Sequence, residues 1–135
     1  MNLKIFKTAC MLAALAVALG AFGAHGLETL ISQQKILAER SATWHTAVQY
    51  HIYHAFALFI TALAHPFLKE NVVRNAFRFF LIGILLFSGS LYLLVISPLL
   101  FGTEISWLGA ITPLGGLCFI AGWLFLFFAA RFKKV

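Results

Sequence analysis

The stretch WHTAVQYHIYHAFALFITALA, residues 44–64, decides how the whole chain is read. It holds no Asp, Glu, Lys or Arg, and a helix of roughly 20 such residues crosses the hydrocarbon core of a bilayer. It nevertheless carries His45, Gln49, His51 and His54. At about 100° per residue, Trp44, Ala47, His51, His54, Leu58 and Thr61 share one broad face, while Ile52, Phe56, Phe59 and Leu63 share the opposite one. The second set is a lipid-facing surface. The first set then has to look toward other helices, because polar groups in hydrocarbon need partners. A spanning helix with a polar stripe therefore calls for a bundle around it.

Working outward, three uncharged apolar runs supply that bundle: Thr8 to Ala24, Phe79 to Ser97, and Leu108 to Ala130. Each is expected to be helical, since backbone groups in lipid must be satisfied within the segment. The expected fold is an all-α membrane protein, a four-transmembrane-helix bundle with helices over about 5–25, 44–65, 76–97 and 107–131 in one membrane domain. The composition agrees: 62% of the 135 residues are hydrophobic and 10% charged, against roughly 45–50% and about 25% in soluble domains. The net charge of +6 does not point to nucleic acid, because the basic residues form no stripe and no aromatic-interleaved patch. They sit at the edges of the apolar runs.

Their placement sets the expected orientation. With the N-terminus in the cytoplasm, the inside carries Lys4, Lys7, Lys69, Arg74, Arg78, Arg131, Lys133 and Lys134, and the outside only Lys35 and Arg40. This is a strong positive-inside bias, and it puts both termini in the cytoplasm of an inner (plasma) membrane. The first run also has features of a secretory signal peptide: Lys4 and Lys7, an alanine-rich core, and small residues near Gly23 and Ala24. Its length and the helical spacing of Ala13, Ala16, Gly20 and Gly23, as on a packing face, favour a retained helix. Between the first two spans, Leu27, Leu30, Ile31 and Ala38 fall on one side of a wheel, consistent with an amphipathic surface helix over 27–40 or with a polar loop. Pro66 to Arg78 and Pro98 to Trp107 are expected to be short turns. Trp44 and Trp107 are placed at the outer interface.

Function is sought where polar residues are spent inside the membrane. His51 and His54, three apart, can act on one site. A charged imidazolium is disfavoured at that depth, so neutral rings are expected, able to bind a ligand, relay a proton or hydrogen-bond a neighbouring helix. His25, at the end of Gly20-Ala-Phe-Gly-Ala-His-Gly26, is a third candidate that could converge on the same half of the bundle. Ser88, Ser90 and Tyr92 add polar groups from the third span, and Thr112 from the fourth, where Pro113 is expected to kink the helix. No carboxylate lies within a span: Glu28, Glu39, Glu70 and Glu104 are all in loops. This counts against a cation-driven transporter or pump and leaves no acid to orient a histidine base for a nucleophilic serine. Cys10 and Cys118 stand alone in apolar runs, without metal-ligand or disulfide spacing, and no metal site is assigned.

Four motifs taken together, Gly20-Ala-Phe-Gly-Ala-His-Gly26, Tyr50-His-Ile-Tyr-His-Ala55, Leu86-Phe-Ser-Gly-Ser-Leu-Tyr92 and Gly109-Ala-Ile-Thr-Pro-Leu-Gly-Gly116, followed by Gly122-Trp123, resemble the domain of unknown function 423 family of small membrane proteins, with animal relatives known as transmembrane protein 256. The resemblance runs from Lys4 to about Phe128. It implies a four-helix inner-membrane architecture and carries over no activity, substrate or catalytic residue. The leading expectation is a non-enzymatic accessory, assembly or lipid-contacting bundle, acting alone, as a homo-oligomer or with a membrane-protein partner. The alternative is a membrane protein that binds a metal, haem, quinone or lipid through the histidine cluster. A small oligomeric transporter or channel is a weaker third.

Overall fold

The computed structural model describes residues 1–131 and is helical throughout, with no strand among the described residues. Three long helices follow in order: α1 (Leu3–Ser32), α2 (Arg40–Phe67) and α3 (Glu70–Phe101). A 3₁₀ turn over Ser106–Ala110 then leads into α4 (Thr112–Arg131). All four segments are long and apolar enough to cross a membrane. Lys133 and Lys134, which count toward the charge bias, lie outside the described residues.

Chain neighbours pack on one another, α1 along α2, α2 against α3, and α3 along α4. The middle pair is the core of the assembly: 44% of the apolar window of α2 and of α3 is buried, against 17% for α1 and α4. Four antiparallel spans put both termini at one end, called here the terminal end. The other is the distal end. An apolar cluster that includes Ile5, Ala57, Leu58, Val73 and Phe80 fills the terminal half, and a smaller one of Leu27, Ile36, Trp44 and Val95 closes the distal half. The polar face of α2 is sheltered as its pattern requires. Trp44, Ala47, His51, His54, Leu58 and Thr61 are all buried, while Phe56 and Leu63 on the opposite face are exposed.

Several boundaries differ from the sequence reading, each for a physical reason. At 30 residues, α1 is about 45 Å long at 1.5 Å per residue, so it outruns the hydrocarbon. Its last turns replace the surface helix expected over 27–40. A π-helical turn at Gly23–Leu27 carries α1 on to Ser32, and the chain reverses at Gln34, which takes a left-handed φ of 57°. Leu27 and Ile36 then go into the protein rather than onto the membrane surface. The segment 66–78 is mostly helix: Pro66 sits in the 3₁₀ turn that ends α2, and α3 starts at Glu70. Its Val73 and Ala76 turn inward while Arg74 and Arg78 stay exposed. α3 runs through Pro98 and stops on Gly102, left-handed at φ 70°. Pro113 lies in the first turn of α4, where its missing N–H interrupts no bond, so the kink expected there does not arise. Trp44 is buried against Gly23, whereas Trp107 is exposed.

Glycines set how closely α3 and α4 approach. A Cβ on Gly83 would enter the ring of Phe119, one on Gly115 would meet the backbone nitrogen of Phe87, and one on Gly122 would come within 2.6 Å of Phe80. Each notch on one helix receives a phenylalanine or backbone from the other. Gly109, by contrast, has nothing within 4 Å of its would-be Cβ. Gly115→Ala should therefore destabilise the protein by about 1–3 kcal/mol, as overpacking does, and Gly109→Ala should leave it unchanged. Thermal unfolding of both variants in one detergent checks this, and equal midpoints would contradict the close α3–α4 contact.

Candidate functional site

The polar residues of the spans gather in the distal half, between the two apolar clusters. His51 and His54, one turn apart on α2, are 2% and 6% exposed. They face different neighbours. The Nδ1 of His51 is 3.3 Å from the hydroxyl of Tyr92 on α3. Tyr92 in turn packs on Trp44, with ring centroids 4.8 Å apart, and the Trp44 indole N–H donates to the Leu19 carbonyl of α1 at 2.9 Å. One chain of contacts thus ties α1, α2 and α3 together. Gly23 makes it possible, since a Cβ there would lie 2.7 Å from the Trp44 ring.

His54 turns toward α4. Its Nδ1 is 2.8 Å from the carbonyl of Tyr50, one turn earlier. A carbonyl only accepts, so Nδ1 carries the proton and Nε2 of the neutral ring is left as an acceptor. The ring lies flat on Phe119, with centroids 3.4 Å apart and planes within 8°. Tyr50 stacks on Phe87 at 4.5 Å. Together with Pro113, Gly116 and Trp123 these residues line a groove of about 510 Å³. That volume is within the range of small-molecule sites, which are mostly apolar with a few placed polar groups.

Two further polar atoms are enclosed without a hydrogen-bond partner, Nε2 of His51 and Oγ of Ser88. Ser88 ends a second π-helical turn, Ile84–Ser88, a feature common at functional sites. It lies one turn from Tyr92 on a helix antiparallel to α2, at the level of the histidine pair. Ser90 is used differently: its hydroxyl donates to the Phe87 carbonyl and lies 2.9 Å from the Thr112 hydroxyl, linking α3 to α4.

Of the candidate residues, His51, His54, Ser88, Ser90, Tyr92 and Thr112 are thus brought into one region. His25 is not. It is exposed on α1, where its carbonyl accepts from the Thr29 hydroxyl. Among the described residues no three His, Cys, Asp or Glu side chains come together as metal ligands. Sequence reasoning left out Tyr50, Phe87, Phe119 and Trp123. Tyr50 and Phe87 lie inside motifs already singled out, and Trp123 follows Gly122. Their common groove is a property of helix pairing that no one segment carries. It also left out Ser97, whose hydroxyl donates to the Leu94 carbonyl and accepts from Ile105 N–H at 3.1 Å, fastening the distal loop.

This is the arrangement of a multi-pass helical membrane protein that keeps most of its buried polar groups in one half of its thickness, with Thr61 in the other. The chain belongs to the family described as "Protein of unknown function (DUF423)", whose model matches residues 19–116. It is 50% identical over 119 residues to the UPF0382 membrane protein YwdK of Bacillus subtilis, covering 87% of this chain and 88% of that one. It is 44% identical over 112 residues to the UPF0382 membrane protein SH2409 of Staphylococcus haemolyticus, with 83% and 82% covered. A UPF0382 membrane protein of Haemophilus influenzae is 39% identical over 120 residues, with 87% and 86% covered. No solved structure matches. Like these relatives it is a membrane protein in contact with lipid, and its four spans make it a multi-pass protein of the bacterial inner membrane.

At the distal surface, Arg40 at the start of α2 pairs with Glu104 in the α3–α4 loop. The Arg40 guanidinium holds the Glu104 carboxyl below the usual carboxylate range, with a smaller contribution from the Ser106 hydroxyl. A depressed pKa means that the stabilisation is present above the unfolded value of about 4.3 and is lost as pH falls through the folded one. The melting temperature should therefore drop as the solution is acidified below about pH 4.5, and Glu104→Gln should flatten that part of the profile. Parallel slopes for the two proteins would show that the pair contributes nothing.

Proposed function

We propose that the protein is non-enzymatic and holds a lipid-soluble molecule bearing a hydrogen-bond donor in the groove between α2 and α4. The observation that carries this is His54: its Nδ1 is committed to the Tyr50 carbonyl, which leaves Nε2 as the acceptor of a ring that lines an aromatic groove. A flat ring with a hydroxyl, the chemistry of a reduced quinone head or a phenolic lipid, can lie against Tyr50, Phe87 and Trp123 and donate to that nitrogen. Glu28 and Glu70, expected in loops, fall instead near the ends of α1 and α3, but the partners of the two histidines are the Tyr92 hydroxyl and the Tyr50 carbonyl rather than a carboxylate, which supports binding rather than catalysis. A proton or ion path has less support: between His54 and Thr61 come Ala57 and Leu58, fully buried apolar residues, and the Thr61 hydroxyl is bonded to its own helix at Ala57.

A second reading, an accessory or assembly role through helix contacts, is favoured by the largely unburied α1 and α4. Ligand titration separates the two. The purified protein in lipid nanodiscs, titrated with an alkylated hydroquinone and followed by tryptophan fluorescence, should saturate at one site. His54→Leu should weaken binding about tenfold, the loss expected when a donor is left unpaired in a buried site. No saturable binding, or equal binding by the variant, would overturn the ligand reading in favour of the second.

The orientation belongs to the same proposal. Lys4, Lys7, Lys69, Arg74 and Arg78 stand at the terminal end and only Lys35 and Arg40 at the distal end, so we place both termini in the cytoplasm. The groove then opens in the outer half of the bilayer. A C-terminal fusion to a reporter active only in the cytoplasm should be active, and an inactive but intact fusion would reverse the assignment.

A further inference from the structure

A second cavity lies at the terminal end, far from the histidines, where α1 meets the start of α3. It measures about 290 Å³, and Asn2, Lys4, Ile5, Val73, Arg74 and Phe77 are among its walls. Two features set it apart from an ordinary crevice between helices. Its rim carries two cations from different helices, Lys4 of α1 and Arg74 of α3, and among the described residues neither has a carboxylate within salt-bridge distance. Its interior is apolar, with Ile5 and Val73 buried and Phe77 half-buried against the terminal core. The carboxamide oxygen of Asn2 accepts from the backbone N–H of Lys4 and of Ile5, at 3.1 and 3.2 Å. That fixes the side chain and leaves its NH₂ free to donate. Glu70 also borders the cavity, but its carboxylate is engaged by Nε2 of His65 at 2.7 Å.

Charge at the rim and hydrocarbon within is the chemistry of one class of molecule. We propose that this cavity binds an anionic membrane phospholipid, its phosphodiester held between Lys4 and Arg74 with a hydrogen bond from Asn2, and an acyl chain laid along the exposed part of Phe77. Arg suits such a site, because its planar fork matches phosphate oxygens in pairs. Lys supplies a mobile point charge from the opposite wall. The site lies beside the first turns of α1 and α3, the end of each helix where a headgroup rather than a chain end would be met. It would join α1 to α3 at an end where α1 otherwise rests mainly on α2.

The full chain in mild detergent tests this, with phosphatidylglycerol or phosphatidylcholine added and bound lipid counted by native mass spectrometry. Each basic residue beside an anionic headgroup is worth about fivefold in affinity, or roughly 30-fold for two. The double variant Lys4→Gln/Arg74→Gln should lose retained phosphatidylglycerol by about that factor. The double variant Lys7→Gln/Arg78→Gln removes the same charge from the same end but outside the cavity, and should retain it. Equal losses in the two pairs would mean diffuse attraction and overturn the site, as would equal retention of phosphatidylcholine by the unaltered chain. Displacement of the lipid by millimolar inorganic phosphate would mean a soluble anion is the occupant instead. Should the first double variant fail to fold, Arg74→Gln against Arg78→Gln decides the same question, with about a fivefold loss expected only in the former.

Discussion

Hydrocarbon offers no hydrogen bonds, and the polar stripe of α2 has to be hidden from it. Most of the architecture answers that requirement. α3 covers His51 through Tyr92, α4 covers His54 through Phe119, and α1 is tied to α2 by the Trp44 indole on the Leu19 carbonyl. A fully apolar second span could have packed in several registers of nearly equal energy. A stripe of fixed partners selects one. Interhelical hydrogen bonds in membranes are individually worth only about 0.6 kcal/mol, so their contribution here is to specificity of pairing more than to strength. The strength comes from close packing, and the phenylalanines seated in glycine notches between α3 and α4 are its clearest instance.

The two halves of the molecule are built on different principles. Toward the terminal end the interior is alanine, leucine, valine and phenylalanine, with Thr61 turned back on its own helix. Toward the distal end it is a mixture of rings, hydroxyls and imidazoles, with atoms left over: Nε2 of His51 and Oγ of Ser88 are enclosed and unpaired. Buried polar atoms without partners are few in native proteins. Two of them lie in this half, on facing helices, Ser88 at the end of a π-helical turn. The charges follow a complementary rule, with most lysines and arginines at the dry end.

Much of this could be read from the sequence. The four spans, the inward face of α2 from Trp44 to Thr61 and the exposure of Phe56 and Leu63 follow from length and a 3.6-residue period. What escaped is what periodicity does not encode. A π turn adds a residue to a helix without changing its composition, so the turns at Gly23–Leu27 and Ile84–Ser88 left no signal. The run after Leu27 has an amphipathic pattern that suits a membrane surface as well as a protein core, and only the position of Trp44 makes the core the better place for Leu27 and Ile36. His25 was drawn toward the pair by its glycine-rich setting, yet glycines there serve Trp44 and leave the imidazole outside. The aromatic groove needs three helices at once, and a single segment shows only part of it.

Phe119 is held on two sides. One face of its ring carries the His54 imidazole, and the ring also fills the space where Gly83 has no side chain. The same ring is therefore both a wall of the groove and the spacer that sets how far apart α3 and α4 stand. The groove cannot widen by moving this ring alone, because the ring has nowhere to retreat except by parting the helices. Occupancy of the groove and the separation of α3 and α4 are in this sense one coordinate: whatever pushes on the imidazole pushes, through a single phenyl ring, on the backbone of the helix behind it.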